Sequence, residues 1–353
     1  MKTAFQFETN KKPDIKALAV FLREEYPTGE ISDERFLQWE YLDNPFGNAV
    51  VTSAKDLQLT LAVQYAVIPM QVVVNGIILN GSLSLNTLTG DKFRGMGLFK
   101  RAAEANYSFC VEEEILFTVG VPNKNSFPGF KNKLGFAHPG NLNFLVKPLR
   151  PIRILKSFLR TRSDKKGEEI RLHIHESTLG KKSISFFNQV ADAGQYDSFW
   201  FEWKKKNKVF VNRSIEYMSW RYFKNPLRKY EVFKLVEKGE IKAIIASRAM
   251  NIYGLSAIVI MDLLSTDVIY ARELLYAISE VAKENNLDIV IAAIANKKEV
   301  YSILRKSGFL HVPEFVLPQQ LPFIVRLHKE FEYSEMLLNR DNWHFGFGDY
   351  DIF

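Results

Sequence analysis

Residues 39–45, WEYLDNP, return at 220–226 as WRYFKNP, with Trp39, Tyr41, Asn44 and Pro45 matched by Trp220, Tyr222, Asn225 and Pro226 at a shift of 181. A second block, NKNSFPGFKNKLGF at 123–136, returns as NKKEVYSILRKSGF at 296–309, matching Asn123, Lys124, Lys133, Gly135 and Phe136 at a shift of 173. Order is kept and the shift shrinks by eight, which predicts two copies of one domain, the second shorter in its middle. A chain of 353 residues holds two domains of roughly 150 residues each. The expected boundaries are a first domain at 1–147, a basic linker at 148–167, a second domain at 168–325 and a C-terminal extension at 326–353.

The linker carries the chain's charge imbalance. Net charge is +7, yet Lys147 to Lys166 alone contributes eight basic residues against Asp164, and the remainder balances at 39 of each sign. One local stripe does not make a protein-wide field for gripping nucleic acid. Ile152, Leu155 and Leu159, with Phe158 beside them, recur at helical spacing after Pro148 and Pro151, which predicts a short basic amphipathic helix. Such a helix serves as a solvated connector, or as a peripheral contact to an acidic membrane surface. The single cysteine, Cys110, forbids an intrachain disulfide and excludes metal sites built on paired thiolates. With an amino terminus that lacks a signal-like apolar run, this predicts a cytoplasmic protein.

Both copies follow one plan. In the first, residues 14–26 and 32–42 carry helical patterns, the latter starting at Ser32 with an acidic first turn and ending before Asn44-Pro45. Strand patterns follow at 50–54, 57–67, 71–74 and 81–89, with a tight turn at Val74-Asn75-Gly76. Then come a helix at 98–113, a strand at 115–121 and a helix at about 125–134 closed by Gly135. The expected fold is mixed α/β: in each copy a mostly antiparallel sheet flanked by helices.

The segment TGDKFRGMGLFKRAAEA at 89–105 places small residues where a strand hands over to a helix. Glycines there let the backbone turn sharply, and the N–H groups of a helix start, with its dipole, favour an anion such as pyrophosphate. Strand, R-x-x-G turn, helix, strand, then an N-x-x-S helix ending in Lys-x-Gly-Phe resembles the GNAT superfamily of acyl-CoA N-acyltransferases. Its Q/R-x-x-G-x-G/A signature aligns with Arg94, Gly95, Met96, Gly97, Leu98 and Phe99, where Phe99 replaces the usual small residue. The resemblance implies that these residues, with Thr89, bind the acyl-CoA co-substrate, acetyl-CoA being the default donor, and that Asn123 and Ser126 lie beside its pantetheine arm. The second copy departs at this turn: 265–275, STDVIYARELL, has no glycine and sets Asp267 where phosphate would lie, so the resemblance implies a degenerate copy that does not bind CoA.

The resemblance further implies direct transfer of the acyl group from the thioester to an amine, with no covalent enzyme intermediate. A backbone N–H of the strand before the turn would serve the thioester oxygen, Leu88 and Thr89 being the candidates. No carboxylate stands on that strand, and Asn86 can orient the acceptor or a water but not take a proton. The tyrosine that frequently protonates the leaving thiolate in this family is replaced by Lys131. Glu40 and Asp43 lie on the helix that borders the acceptor pocket in the family; the acidic, aromatic C-terminus either packs or pairs as a strand, as a plain extension, or folds over the pocket and offers Asp349 and Asp351 to a cationic amine. His173 and His175 alternate with Ile170, Leu172 and Ile174 and form an outward polar face, and no metal site is expected. The expected activity is an acetyl-CoA-dependent N-acyltransferase acting on a small amine, for instance an amino sugar. Two alternatives remain: an aminoacyl-tRNA-dependent peptidyltransferase-like protein and a non-catalytic acyl-CoA sensor or scaffold.

Overall fold

The computed structural model describes residues 4–159, 167–174, 177–179, 182–296 and 298–350. In chain order its elements are β1 (Gln6–Asn10), α1 (Ile15–Glu25), α2 (Glu34–Tyr41), β2 (Val50–Lys55), β3 (Leu61–Val74), β4 (Ile77–Thr89), α3 (Leu98–Glu112), β5 (Phe117–Gly120), α4 (Phe127–Lys133), β6 (Ala137–Asn141), β7 (Asn143–Pro148), α5 (Pro151–Leu159) and β8 (Ser177–Leu179). There follow β9 (Lys182–Phe186), α6 (Ala193–Lys204), β10 (Val209–Val211), α7 (Ile215–Met218), β11 (Glu231–Glu237), β12 (Glu240–Ile252), β13 (Leu255–Ser265), α8 (Val268–Glu284), β14 (Ile289–Ile294), α9 (Glu299–Lys306), β15 (Leu310–His311), β16 (Pro322–Leu327), α10 (Ser334–Leu338) and β17 (Trp343–His344). This is the expected mixed α/β plan.

The chain divides into two compact units that interleave along the sequence. The first comprises Met1–Asn141, Lys224–Arg228 and Leu321–Asn339; the second comprises Leu142–Phe223, Lys229–Gln320 and Arg340–Phe353. The sheet of the first has the order β1-β2-β3-β4-β5-β16-β6, and that of the second β15-β7-β14-β13-β12-β11-β9-β8. The first order thus contains β16, from the second half of the chain, and the second contains β7, from the first half. β16 runs antiparallel to both β5 and β6, and β7 antiparallel to both β14 and β15. The expected boundaries at 147 and 168 follow chain order, whereas β7 lies in the second sheet and β16 in the first.

Apart from the inserted strands the two sheets share a topology: an antiparallel meander, then a parallel pair, β4 with β5 and β13 with β14. The long hairpins differ in length. Each has a β-bulge, and between bulge and turn the β3–β4 hairpin has nine residue pairs where β12–β13 has six. A hairpin shorter by three pairs accounts for six of the eight residues by which the repeat shift shrinks.

Burial follows the patterns read from sequence. On α3, Leu98, Ala102, Ala103, Asn106, Tyr107 and Cys110 form one buried face over the first sheet. Burying one Leu or Phe side chain is worth about 2–3 kcal/mol, so such a face decides where a helix docks. Asn106 on that face is satisfied by donating to the Val50 carbonyl (3.0 Å). Burial pushes the Cys110 thiol up to about 12, which leaves it an inert packing residue. Two features were not expected from sequence: β1, and the continuity of β3 through Pro69, which pairs with Ser82.

Candidate functional site

In the first unit, β4 and β5 pair only at Gly81 with Phe117, Ser82 with Thr118 and Leu83 with Val119. β4 then runs on to Thr89 while β5 ends at Gly120, so beyond residue 83 an edge of β4 is left without β5. The Gly90 N–H donates to the Ala62 carbonyl (3.0 Å), across to β3. Strand alternation then sends the Leu88 N–H to β3 as well and turns the Thr89 N–H toward the open edge. Of the two candidate oxyanion donors, Thr89 is the one whose N–H faces the gap.

A bulge interrupts β4 at Asn86-Thr87, opposite Tyr65. Asn86 takes a left-handed backbone, φ +48°, a conformation that asparagine tolerates better than most residues. Its carbonyl, displaced from the ladder, accepts from Gln64 Nε2 (3.0 Å), and its own Nδ2 donates to Glu40 Oε2 at 2.6 Å. Glu40, on α2, is only 1% exposed. The structure thus brings together two residues that the sequence offered separately. The signal for the bulge is in the sequence: in Ser82-Leu-Ser-Leu-Asn-Thr-Leu-Thr89 the alternation changes phase at Asn86-Thr87. Asp43 is exposed and accepts from Gln38 Nε2 (3.1 Å).

After Thr89 the chain makes the glycine turn. Gly95 and Gly97 have φ of +81° and +75°, and a Cβ on either would meet nothing within 4 Å, so the turn presents bare backbone to open space. Gly97 caps α3 without a side-chain bond, and the N–H groups of Leu98, Phe99 and Lys100 have no acceptor within the helix. Met96 is exposed. Arg94 is held by Asp91 (2.6 Å) and Glu25 (3.3 Å), so its charge is shared with two carboxylates. Phe99 turns inward against the rings of Tyr65 and Phe130, and a Cβ on Gly129 would stand 3.0 Å from it. The departure at Phe99 is thereby matched by a glycine on α4. Asn123 organises the start of α4: its Oδ1 accepts from the N–H groups of Asn125 and Ser126, and the Ser126 hydroxyl donates back to it (3.1 Å). Lys131 is exposed.

Sequence reasoning missed a buried hydroxyl cluster behind the open edge. The Tyr65 and Tyr107 hydroxyls lie 2.5 Å apart, and Ser84 Oγ donates to Tyr65 (3.1 Å). Burial raises both phenols above their ordinary range, so they stay protonated at neutral pH. Beside them Thr118 Oγ1 bonds Ser82 Oγ (2.8 Å) and His328 Nε2 (2.9 Å), the histidine arriving just after β16. Burial, and then the Arg326 charge, lower the His328 ring to about 4.

The second unit closes the corresponding places. Asp267 caps α8, its carboxylate accepting from the Ile269 N–H (2.9 Å), so the chain's own anion occupies the helix start. The edge beyond the β13–β14 pairing is filled by the C-terminal segment. The Ala295 N–H donates to the Phe345 carbonyl (2.9 Å), and Gly346 bridges Ile294. A Cβ on Gly346 would stand 2.7 Å from the Ala293 carbonyl oxygen, and one on Gly348 would stand 2.8 Å from that of Met261. Asp349 is buried, with both oxygens on Arg213 Nη2 (2.8 and 3.0 Å), and Arg213 Nε reaches Asp262 at 2.5 Å. Burial alone would raise the Asp262 carboxyl; Arg213 overrides it and holds the group at about 2. Asp349 is therefore committed to a buried ion pair and not presented to an acceptor, and Asp351 lies outside the described residues. So does His175; His173 is exposed while Ile170, Leu172 and Ile174 pack inward. Among the described residues no cluster of His, Cys, Asp and Glu suits a metal, and no helix is long and apolar enough to cross a membrane.

In the first unit a diverging parallel strand pair followed by a glycine turn into a helix, in a mixed sheet, gives a GNAT-like fold, and the second unit repeats the sheet plan without the glycine turn. Solved structures of similar fold include the N-myristoyltransferase of Saccharomyces cerevisiae with bound myristoyl-CoA, at 12% identity and a TM-score of 0.62 over 92% of this chain and 82% of that one. They also include a GCN5-related N-acetyltransferase from Anabaena variabilis, at 12% identity and a TM-score of 0.63 over 92% and 73%. A third is a conserved protein of unknown function from Enterococcus faecalis, at 10% and 0.62 over 92% and 73%. No protein-family model matches the sequence, and no curated protein matches it.

Proposed function

We propose that the protein is an acyl-CoA-dependent N-acyltransferase whose donor binds in the first unit. The observation that carries this reading is the pairing of an uncapped, glycine-lined helix start with the unpaired β4 edge immediately before it. The bare N–H groups at Leu98 to Lys100 receive the pyrophosphate, the Thr89 N–H receives the thioester oxygen, and Asn123 and Ser126 stand where the pantetheine arm would pass. The amine nitrogen attacks the thioester carbon, the carbon–sulfur bond breaks, the amine loses a proton and the thiolate gains one. A backbone donor at the oxyanion contributes about 3–4 kcal/mol to such a step. The acceptor is a small amine, an amino sugar being one such substrate, and the donor lies between the acetyl and myristoyl lengths. The protein acts in the cytoplasm, with the basic segment that includes α5 available for peripheral membrane contact.

The test is thermal stabilisation by free CoA, acetyl-CoA and longer acyl-CoAs. Occupancy at a hundredfold excess over Kd adds about 2.7 kcal/mol, a visible melting shift. A shift lost in Gly97→Glu supports the reading, and no shift with any donor overturns it. Lys131, standing where a tyrosine often serves the leaving group, favours one second reading, a non-catalytic acyl-CoA sensor; that protein would show the shift without releasing thiol.

A further inference from the structure

We infer that Asn86 is the catalytic residue that orients the acceptor amine, and that Glu40 is the positioning residue that aims it. The inference rests on the acyl-CoA reading of the same site and adds the acceptor side of the reaction.

Three observations carry it. First, Asn86 stands on the bulge, on the stretch of β4 that β5 has left, three residues before the Thr89 N–H. Second, the residue is fixed at two points: Gln64 Nε2 holds its carbonyl, and Glu40 Oε2 takes its Nδ2 at 2.6 Å. That second bond assigns the amide orientation, because a carboxylate accepts and does not donate. With Nδ2 turned to Glu40, Oδ1 points away from it, and as the residue is only half-buried Oδ1 is left as an acceptor. Third, Gln64 is itself oriented by two acceptors, the Tyr41 hydroxyl (2.9 Å) and the Asn86 carbonyl, and its buried Oε1 has no partner among the described residues, as is also true of Thr87 Oγ1. Those two bonds hold Gln64, and through it the Asn86 backbone, in one place.

Three residues of strand span roughly 10 Å. That length accommodates in line a thioester oxygen on the Thr89 N–H, the reacting carbon, an attacking nitrogen and the accepting Asn86 Oδ1, each hydrogen bond taking about 3 Å. An N–H of the acceptor donated to Oδ1 sets the nitrogen lone pair toward the carbon. The acceptor is accordingly an amine with at least one N–H, primary or secondary, which donates that N–H while its lone pair attacks. Asparagine takes no proton in this role; the proton leaves to solvent.

The experiment uses the full chain, acetyl-CoA and myristoyl-CoA as donors, and hydroxylamine as a small primary nucleophile. Hydroxamate is measured against total thiol released, so that transfer to nitrogen is separated from hydrolysis. Asn86→Gly should lower the melting temperature, because it takes a donor from the buried Glu40 carboxylate, but should keep the acyl-CoA shift, since glycine meets φ +48° without strain, and should lower the hydroxamate-to-hydrolysis ratio at least tenfold. Glu40→Leu should lower the ratio likewise, while Glu40→Gln, whose Oε1 still accepts from Nδ2, should stay within about threefold of the wild type. If Glu40→Leu does not fold, Asn86→Gly decides. An unchanged ratio in Asn86→Gly overturns the inference, as does a wild type that binds acyl-CoA and forms no hydroxamate. Absence of any acyl-CoA shift in the wild type overturns the acyl-CoA reading itself, and this inference with it.

Discussion

Gly97 and His328 show how single residues carry opposite demands in the first unit. At φ +75° any residue with a Cβ is strained by about 1–2 kcal/mol, so Gly97→Ala should lower stability by that amount while leaving acyl-CoA binding detectable. Gly97→Glu adds a carboxylate at the helix start and should weaken binding more than tenfold beyond the alanine variant, measured by titrating the melting shift. His328 sets a pH dependence. Its folded value of about 4 lies below the ordinary 6.5, so below pH 6.5 the unfolded chain binds a proton that the folded one refuses. Stability from this group is fully present above pH 6.5 and is lost as pH falls toward 4, by up to about 1.4 kcal/mol per pH unit. His328→Gln should flatten that part of the profile in denaturant titrations at pH 4.5–7. Residues of the turn were legible in the sequence because glycine spacing reports backbone conformation directly. The Glu40–Asn86 bond was not, because it depends on a phase change in β4 and on where α2 docks, neither of which a local pattern fixes.

At the scale of elements, the two units differ in how they treat the edge beside their parallel pair. In the second, backbone at Gly346 and Gly348 presses on the carbonyls of Ala293 and Met261. Gly346→Ala should therefore lower the stability of the second unit by about 1–3 kcal/mol through overpacking, with acyl-CoA binding in the first unit retained, as read by paired melting curves with and without donor. Most helices and strands were legible: α3 and α8 show apolar faces at helical spacing, and β2 and β4 follow β-rich runs. β1 was not, since Gln6–Asn10 holds one apolar residue, Phe7, and has no fully buried position, with nothing to distinguish it from a loop. The sequence leaves two readings of the C-terminal segment, a cover for a cationic acceptor and an extension that packs or pairs as a strand, and the described residues follow the second. Its acidity was seen correctly, but its charge partner, Arg213, is 136 residues away in sequence.

At the scale of the whole molecule, the repeat forecast two related units and the eight-residue deficit, much of which the shorter β12–β13 hairpin accounts for. It gave no sign that β16 joins the first sheet and β7 the second, because their pairing partners are set by long-range register and not by composition. A chain ending at Gln320 lacks β16 and should lose both solubility and the acyl-CoA shift, because β5 is then an unpaired edge and β6 has no neighbour. The same arrangement governs birth on the ribosome. Residues 1–141 emerge with their sheet incomplete, and about 180 more residues must be polymerised before Pro322–Leu327 can enter between β5 and β6. At 5–20 residues per second that is roughly 10–40 seconds during which a nascent strand edge stands open, so this protein should depend on chaperones that shield edges early in translation.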